Sequence, residues 1–383
     1  MHGYIERAIT QTIQSRLSFF PALALLGPRQ TGKSTLAKQI IDTVNNAVYL
    51  DLERPADLNK INDPEVYFSH HKNGLICLDE IQRAPDLFPF LRGFLDRNDR
   101  GGQLLILGSA SRDLLKQSSE SLAGRISYLE ISPFTLLEID DSHDHTHWLR
   151  GGFPRSFLAP NNELSFVWRE DYIASFLERD IPQIGFNIPA LTLSRFWRML
   201  AHNHGQCLNS AKLANSMAVS AHTIRSYIDI LESTFIVRTL LPYVSNIKKR
   251  MIKSPKVYIS DSGITAALLQ LQSFEQLMGS PVIGTLWEQI VLTNLKGHFP
   301  SAQYYFYRTS AGAEMDFVMQ YKNKIYAIEC KSSVSPSLTK GTFNAIDDIK
   351  PFHTFIVAPV KTGWSMKKNI QVVSLQELIF NIK

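Results

Sequence analysis

Short apolar runs, set apart by glycines and polar turns, organise the first third of the chain. Residues 22–26, 47–51, 75–78, 104–107 and 126–131 are each four to six residues long, the length of a buried strand. Between the first two, Leu36, Ala37, Ile40, Ile41 and Val44 recur at helical spacing. Strands alternating with helical segments predict a parallel sheet with helices on its faces. The pattern then changes. Residues 163–177 read as one helix, and Leu213, Ala214 and Met217, then Ile224, Ile228 and Leu231, line two short ones. Val219-Ser220 makes the turn between them, with Ser220 as N-cap. The β-branched run 234–241 follows, and helix, turn, helix, strand is the order of a winged helix. The last hundred residues predict a helix at 283–295 and strands at 304–307, 314–319, 325–331 and 355–358, the last completing a sheet.

The turn after the first strand carries chemistry. Gly27-Pro28-Arg29-Gln30-Thr31-Gly32-Lys33-Ser34-Thr35 fits Gly-x-x-x-x-Gly-Lys-Ser/Thr without a mismatch, between a strand and a helix. Such a loop cradles phosphates with backbone N–H groups and the positive helix end. Lys33 is expected at the β/γ-phosphates and the Ser34 hydroxyl on Mg²⁺. The third strand delivers Asp79 and Glu80 to its tip. Asp79 is expected to hold Mg²⁺ through its water shell, and Glu80 to orient the attacking water. Ser109, after the fourth strand, is a candidate for touching the γ-phosphate or that water. Arg125, before the fifth, has a fixed charge suited to a γ-phosphate, in cis or across a subunit interface.

These motifs, with Leu-Gly-Ser-Ala-Ser, Ser-Leu-Ala-Gly-Arg, Gly151-Gly152-Phe153-Pro154 and Glu178-Arg179-Asp180, resemble the AAA-type ATPases of prokaryotes that carry a C-terminal domain of unknown function. The resemblance covers nearly the whole chain. It implies a five-stranded parallel sheet with nucleotide at the C-terminal strand ends. The expected fold class is α/β: a P-loop NTPase sheet in residues 1–139, a helical linker and winged helix in 140–275, and an α/β restriction-endonuclease-like domain in 276–383.

That last domain holds the second chemical signal. Glu314 and Asp316 share one face of an alternating strand, and Glu329 and Lys331 share a face of the next. Asp, a gap, then Glu-x-Lys is the layout of the PD-(D/E)xK nuclease-like fold. Asp316 and Glu329 are hard oxygen ligands for Mg²⁺ or Mn²⁺, with Glu288 as a further ligand. Lys331 is expected to position water or stabilise a pentavalent phosphate. The resembling family domain has the same order: a helix Glu, an arginine (here Arg308), Glu-x-Asp-Phe, then Ile-Glu-x-Lys.

Charge and composition refine this picture. The net charge of +5 permits nucleic-acid binding without requiring it. His222, Thr223, Arg225 and Ser226 lie where a recognition helix meets base edges, and Lys248, Lys249, Arg250, Lys253 and Lys256 read as a basic wing. The polar stretch 140–147 reads as a linker whose three histidines are a weak metal signal. No apolar run is long enough to span a membrane, Cys77, Cys207 and Cys330 lack ligand-like spacing, and no signal peptide is evident. A cytoplasmic location is expected, with ATP, DNA or RNA and a protein as partners, and oligomerisation if Arg125 acts in trans. The function expected is ATP binding and hydrolysis coupled to a nucleic-acid-binding or nuclease-like C-terminal domain. The alternative is a regulatory NTPase switch or protein-remodelling ATPase with a catalytically inactive C-terminal adaptor.

Overall fold

The computed structural model describes residues 4–98, 100–109, 121–244 and 252–382. The chain divides into two compact units, 1–134 with 233–235, and 135–232 with 236–383.

In the first unit, β1 (Ala22–Leu26), β2 (Val48–Asp51), β3 (Ile76–Asp79), β4 (Leu104–Gly108) and β5 (Ile126–Glu130) form one parallel sheet in the order β2-β3-β4-β1-β5. All five residues of β1 are buried, as expected of an inner strand covered on both faces. Their side chains alternate between two cores: Ala22, Ala24 and Leu26 pack with Ile76, Ile106 and Phe88, while Leu23 and Leu25 pack with Ile13, Leu36 and Leu107. This is the P-loop NTPase fold. Because all strands run the same way, the segments after β1, β3 and β4 meet at one edge of the sheet.

The second unit is helical first and then a mixed sheet. A nine-stranded sheet runs β13-β14-β12-β11-β10-β9-β7-β8-β6. Its members are β6 (Gln206–Cys207), β7 (Val237–Pro242), β8 (Lys256–Ile259), β9 (Gln303–Arg308), β10 (Glu314–Tyr321), β11 (Lys324–Cys330), β12 (His353–Val357), β13 (Trp364–Lys367) and β14 (Ile370–Val373). The sheet expected to end at β12 therefore continues through β14 and β13. The helices Ser210–Met217 and Ala221–Ser233 precede β7, and Ser220 Oγ accepts the Thr223 N–H at 3.0 Å, the expected cap. β7 then pairs antiparallel with β8 and parallel with β9 at Leu241–Tyr305. Residues on either side of position 275 thus share one sheet.

Two segments differ from expectation. Residues 144–150 form a helix rather than a linker, with His147 and Trp148 buried and His145 stacked on Phe274 at 4.1 Å. The Gly151-Gly152 motif is explained by Asp261. Its carboxylate accepts the Gly152 N–H at 2.7 Å and caps the helix Ser262–Leu268 through Ile264 N–H at 2.9 Å. A Cβ on Gly151, at φ +73°, would lie 2.0 Å from that carboxylate.

His204 is buried beside β8, where its Nδ1 accepts the Ile259 N–H at 3.2 Å. Burial pushes its pKa down from 6.5 to about 3. Between those values the unfolded chain holds a proton that the folded chain refuses. The stabilisation is therefore complete above pH 6.5 and is lost as pH falls toward 3. The urea midpoint is expected to drop between pH 7 and pH 5, with a shallower slope in His204→Asn. Equal slopes in the two proteins would count against this assignment.

Candidate functional site

The loop after β1 has the backbone that a phosphate cradle needs. Gln30 and Gly32 have φ of 63° and 91°. Gly27 admits no side chain, since a Cβ there would stand 2.2 Å from the Ile131 carbonyl. The helix Lys33–Ile41 starts directly after Gly32. The buried Lys33 ammonium donates to the Gly27 and Pro28 carbonyls at 2.9 and 2.7 Å. Burial lowers its pKa to about 8, against the opposing pull of Glu80 and Asp79. Thr31 Oγ1 donates to the Pro28 carbonyl at 3.0 Å, and Arg29 reaches Glu53 at 3.3 Å.

β3 brings the acids to the same edge. Ser34 Oγ donates to Asp79 Oδ2 at 2.6 Å, and the Tyr49 hydroxyl donates to the same oxygen. Asp79 Oδ1 accepts the Glu80 N–H at 3.0 Å. Glu80 itself adopts φ 56° and ψ 46°, a left-handed conformation costly for a residue with a Cβ. Its carboxylate is held by Gln82 Nε2 and by Ser109 Oγ at 3.4 Å. Burial raises the Glu80 pKa, and Lys33 opposes the rise. The structure thus brings together Lys33, Ser34, Asp79, Glu80 and Ser109. This oxygen-rich set fits Mg²⁺ with a nucleotide, because Mg²⁺ takes one or two protein oxygens and completes its shell with phosphate and water.

Arg125 departs from expectation. It precedes β5, and its carbonyl accepts the Ala22 N–H at 3.0 Å, at the start of β1. The phosphate loop follows the other end of that five-residue strand, about 16 Å away at roughly 3.3 Å per residue. Its guanidinium forks onto Asp96 instead. Within one chain this places Arg125 away from the phosphate loop, and its action across a subunit interface is a separate expectation.

Arg7, Tyr49 and Gln82 were not picked out from the sequence. Arg7 is buried and donates to the Thr31 carbonyl at 3.0 Å and the Ser132 carbonyl at 2.7 Å, fixing the phosphate loop from outside. No local pattern announces such contacts, since these carbonyls lie 24 and 125 residues away. Gln82 had a weak signal, two residues after Glu80, and Tyr49 had none beyond its place on the second strand.

The second carboxylate site lies in the second unit. β10 and β11 pair antiparallel with Phe317 opposite Ile328, so Asp316 and Glu329 are neighbours across the ladder. The helix Ile283–His298 adds Glu288. Lys256 stands among these acids. Its ammonium is 3.4 Å from Glu288, 3.5 Å from Glu314 and 3.3 Å from Asp316. It is only 3% exposed. Burial would lower its pKa, but the three carboxylates more than reverse that and raise it. Tyr258, on the same face of β8, donates to Glu288 at 2.5 Å. Asp316 Oδ2 accepts the Cys330 N–H at 2.9 Å, and Lys331 donates to Glu329 at 2.7 Å. Burial, then the Asp316 charge, raises the pKa of Glu288 to about 7 and of Glu329 to about 8.

Two expectations are corrected here. Glu288, Asp316 and Glu329 were read as Mg²⁺ or Mn²⁺ ligands, but Glu288 and Asp316 are already paired with the Lys256 ammonium. With the Lys256 ammonium in place, no group of three or more His, Cys, Asp or Glu among the described residues is placed to hold a divalent cation. The Lys256 ammonium fills the space between Glu288 and Asp316, and both Asp316 oxygens already have donors. Lys256 was read as part of an exposed basic wing. Strand alternation in Lys256-Val257-Tyr258-Ile259 instead sends Lys256 inward with Tyr258. Lys248, Lys249 and Arg250 of that wing lie outside the described residues. His222 and Arg225 are exposed on the helix Ala221–Ser233, while Thr223 and Ser226 are half-buried.

The sheet order, the glycine cradle and the Ser34–Asp79 pair define the first unit as a P-loop protein. Residues 20–139 match the family model described as an AAA domain. Residues 143–275 match a domain of unknown function (DUF8612), and residues 283–378 match another (DUF4143). The chain belongs to one family with uncharacterized protein Rv2008c of Mycobacterium tuberculosis. The two are 39% identical over 359 residues, covering 94% of this chain and 81% of that protein. Uncharacterized protein MJ1544 of Methanocaldococcus jannaschii is 22% identical over 354 residues, covering 83% of this chain and 76% of the relative. Among solved structures, the Walker-type ATPase PABY2304 of Pyrococcus abyssi shares the fold. It has a TM-score of 0.50 and 14% identity, covering 70% of this chain and 96% of that one. Among the described residues, no helix is long and apolar enough to cross a membrane.

Proposed function

We propose that the chain binds ATP with Mg²⁺, hydrolyses it, and uses the nucleotide state as a switch for the region after residue 139. The observation that carries this reading is the Ser34–Asp79 contact at 2.6 Å with Glu80 beside it. Bound Mg²⁺ would neutralise phosphate charge. Ser34 would hold the ion directly and Asp79 through water, with the Tyr49 hydroxyl orienting the Asp79 carboxylate. Lys33 would turn from the loop carbonyls to the β/γ-phosphates. Glu80, steadied by Ser109 and Gln82, would orient the attacking water.

The three-part division at residues 139 and 275 is kept as a functional reading. In it, residues 140–275 are a winged-helix module and 276–383 a PD-(D/E)xK-like fold. Support for the latter is the order of the helix Ile283–His298, β9, β10, β11, the helix Lys340–Ile349 and β12, with Asp316 and Glu329 on adjoining strands and Lys331 directly after β11. The Lys256 ion pairs favour the reading in which this fold binds a nucleic acid or protein and does not cleave. His222 and Arg225 are the exposed side chains through which the winged helix would meet DNA.

Glu80→Gln tests the hydrolytic assignment. Phosphate release is expected to fall by about a hundredfold or more, while fluorescent ATP binding stays within a few-fold of wild type. Full turnover in this variant would remove Glu80 from the reaction.

A further inference from the structure

We infer that the buried ammonium of Lys256 is a built-in replacement for a divalent cation in the second carboxylate site. Three acids from two elements, Glu288 from a helix and Glu314 and Asp316 from β10, converge on one point in the second unit. That convergence is how a protein prepares to hold a hard cation. The point is occupied by a side chain of the same sign. Its three contacts of 3.3–3.5 Å are nearly equal, longer than the roughly 2.7–2.9 Å of a single tight ammonium–carboxylate bond. An ammonium shared among three acids has this geometry.

The replacement is fixed by the fold. Lys256 lies on β8, paired with Leu240 of β7 and Cys207 of β6. Val257 and Ile259 anchor the other face of the strand in the helical core, and the Phe306 ring lies 5.9 Å from the ammonium. Tyr258 fixes Glu288 from the adjoining position. A metal 2.0–2.6 Å from these oxygens would require the ammonium to leave. The lysine is 3% exposed and held by its strand pairing on both sides. The site is thus satisfied without metal, and removing one side chain exposes a latent metal site. It follows from the side-chain geometry alone and does not depend on ATP hydrolysis.

The test is Mn²⁺ binding by the full chain without nucleotide. Ser34→Ala is present in every protein, so that the phosphate loop contributes no hydroxyl ligand. With Lys256 intact, thermal unfolding is expected to be unchanged by Mn²⁺ beyond an ionic-strength control, with no bound ion seen by electron paramagnetic resonance. Lys256→Ala is expected to melt lower, to bind one Mn²⁺ per chain, and to regain melting temperature as Mn²⁺ rises, because binding to the folded state stabilises it. The gain is expected to reverse with EDTA. If Lys256→Ala does not fold without metal, Lys256→Ala with Glu288→Gln carries one fewer uncompensated acid, and the same titration applies. Mn²⁺ bound by the Lys256 protein and lost on Asp316→Asn would overturn the inference. So would Mn²⁺ binding by neither Lys256 variant.

Discussion

Lys33→Ala is expected to lower phosphate release from ATP by roughly a hundred- to a thousandfold, the usual cost of removing one preorganised charge from a developing anion. The mechanism is specific to this loop. Lys33 is 6% exposed and its ammonium rests on the Gly27 and Pro28 carbonyls. Those carbonyls hold the charge within the cradle, already stripped of most water. Substitution removes the only ammonium on the motif and takes a donor from the Gly27 and Pro28 carbonyls, the latter keeping Thr31 Oγ1. Because that charge would also meet ground-state phosphates, ATP affinity is expected to fall with the rate. Glu80→Gln should lose rate and keep affinity. Measuring both quantities in both variants separates the two roles. A Lys33→Ala protein that binds and turns over ATP as wild type does would show that the glycine loop is not the nucleotide site.

The second large effect concerns stability. Arg169 is fully buried, and its guanidinium donates to the Ser165, Leu149 and Gly263 carbonyls at 3.1, 2.8 and 2.9 Å. It ties the helix Asn162–Ser175 to the end of the helix Asp144–Arg150 and to the helix Ser262–Leu268. Gly263 packs too closely for a side chain, since a Cβ there would sit 2.1 Å from the Arg150 carbonyl. Burial lowers the Arg169 pKa to about 10, so the charge persists at neutral pH. Arg169→Leu removes the donors and strands buried carbonyls, at about 1–3 kcal/mol for each group left unsatisfied. A loss of about 3–5 kcal/mol is expected, read as a lower urea midpoint. A change below about 1 kcal/mol would mean that water or other groups replace the guanidinium.

How legible this was in the sequence depended on the range of each contact. The phosphate loop, Asp79-Glu80 and the strands around them are local patterns: a motif of nine residues, or an apolar run with an acid at its tip. Ser109 was legible for the same reason, since a parallel sheet collects strand tips at one edge. Arg125 was read as acting in cis or in trans because its motif does not say which end of a strand it adjoins. It precedes β5 where Ser109 follows β4, and that puts them at opposite edges. Arg7 carried no signal, as its partners are far along the chain. Asp316, Glu329 and Lys331 were found by order and alternation, and β10 and β11 do bring the two acids side by side. The reading of the acids as metal ligands missed one residue from another segment, the Lys256 paired with Asp316. Lys256 sits near Lys248, Lys249 and Arg250 in sequence, and proximity to basic residues suggested a solvated wing. The strand period of two was the better guide, because Lys256 shares a face with Tyr258 and not with its charged neighbours.

Everything downstream of the nucleotide rests on ATP hydrolysis at Lys33, Ser34, Asp79 and Glu80. The most direct measurement is single-turnover phosphate release from radiolabelled ATP by the intact chain, with Mg²⁺ and with EDTA. Release with Mg²⁺, none with EDTA, and bound but uncleaved ATP in Glu80→Gln are expected. Release that is indifferent to EDTA and to Glu80→Gln, or no release from a wild-type chain that binds Mg²⁺–ATP, would contradict hydrolysis at this site.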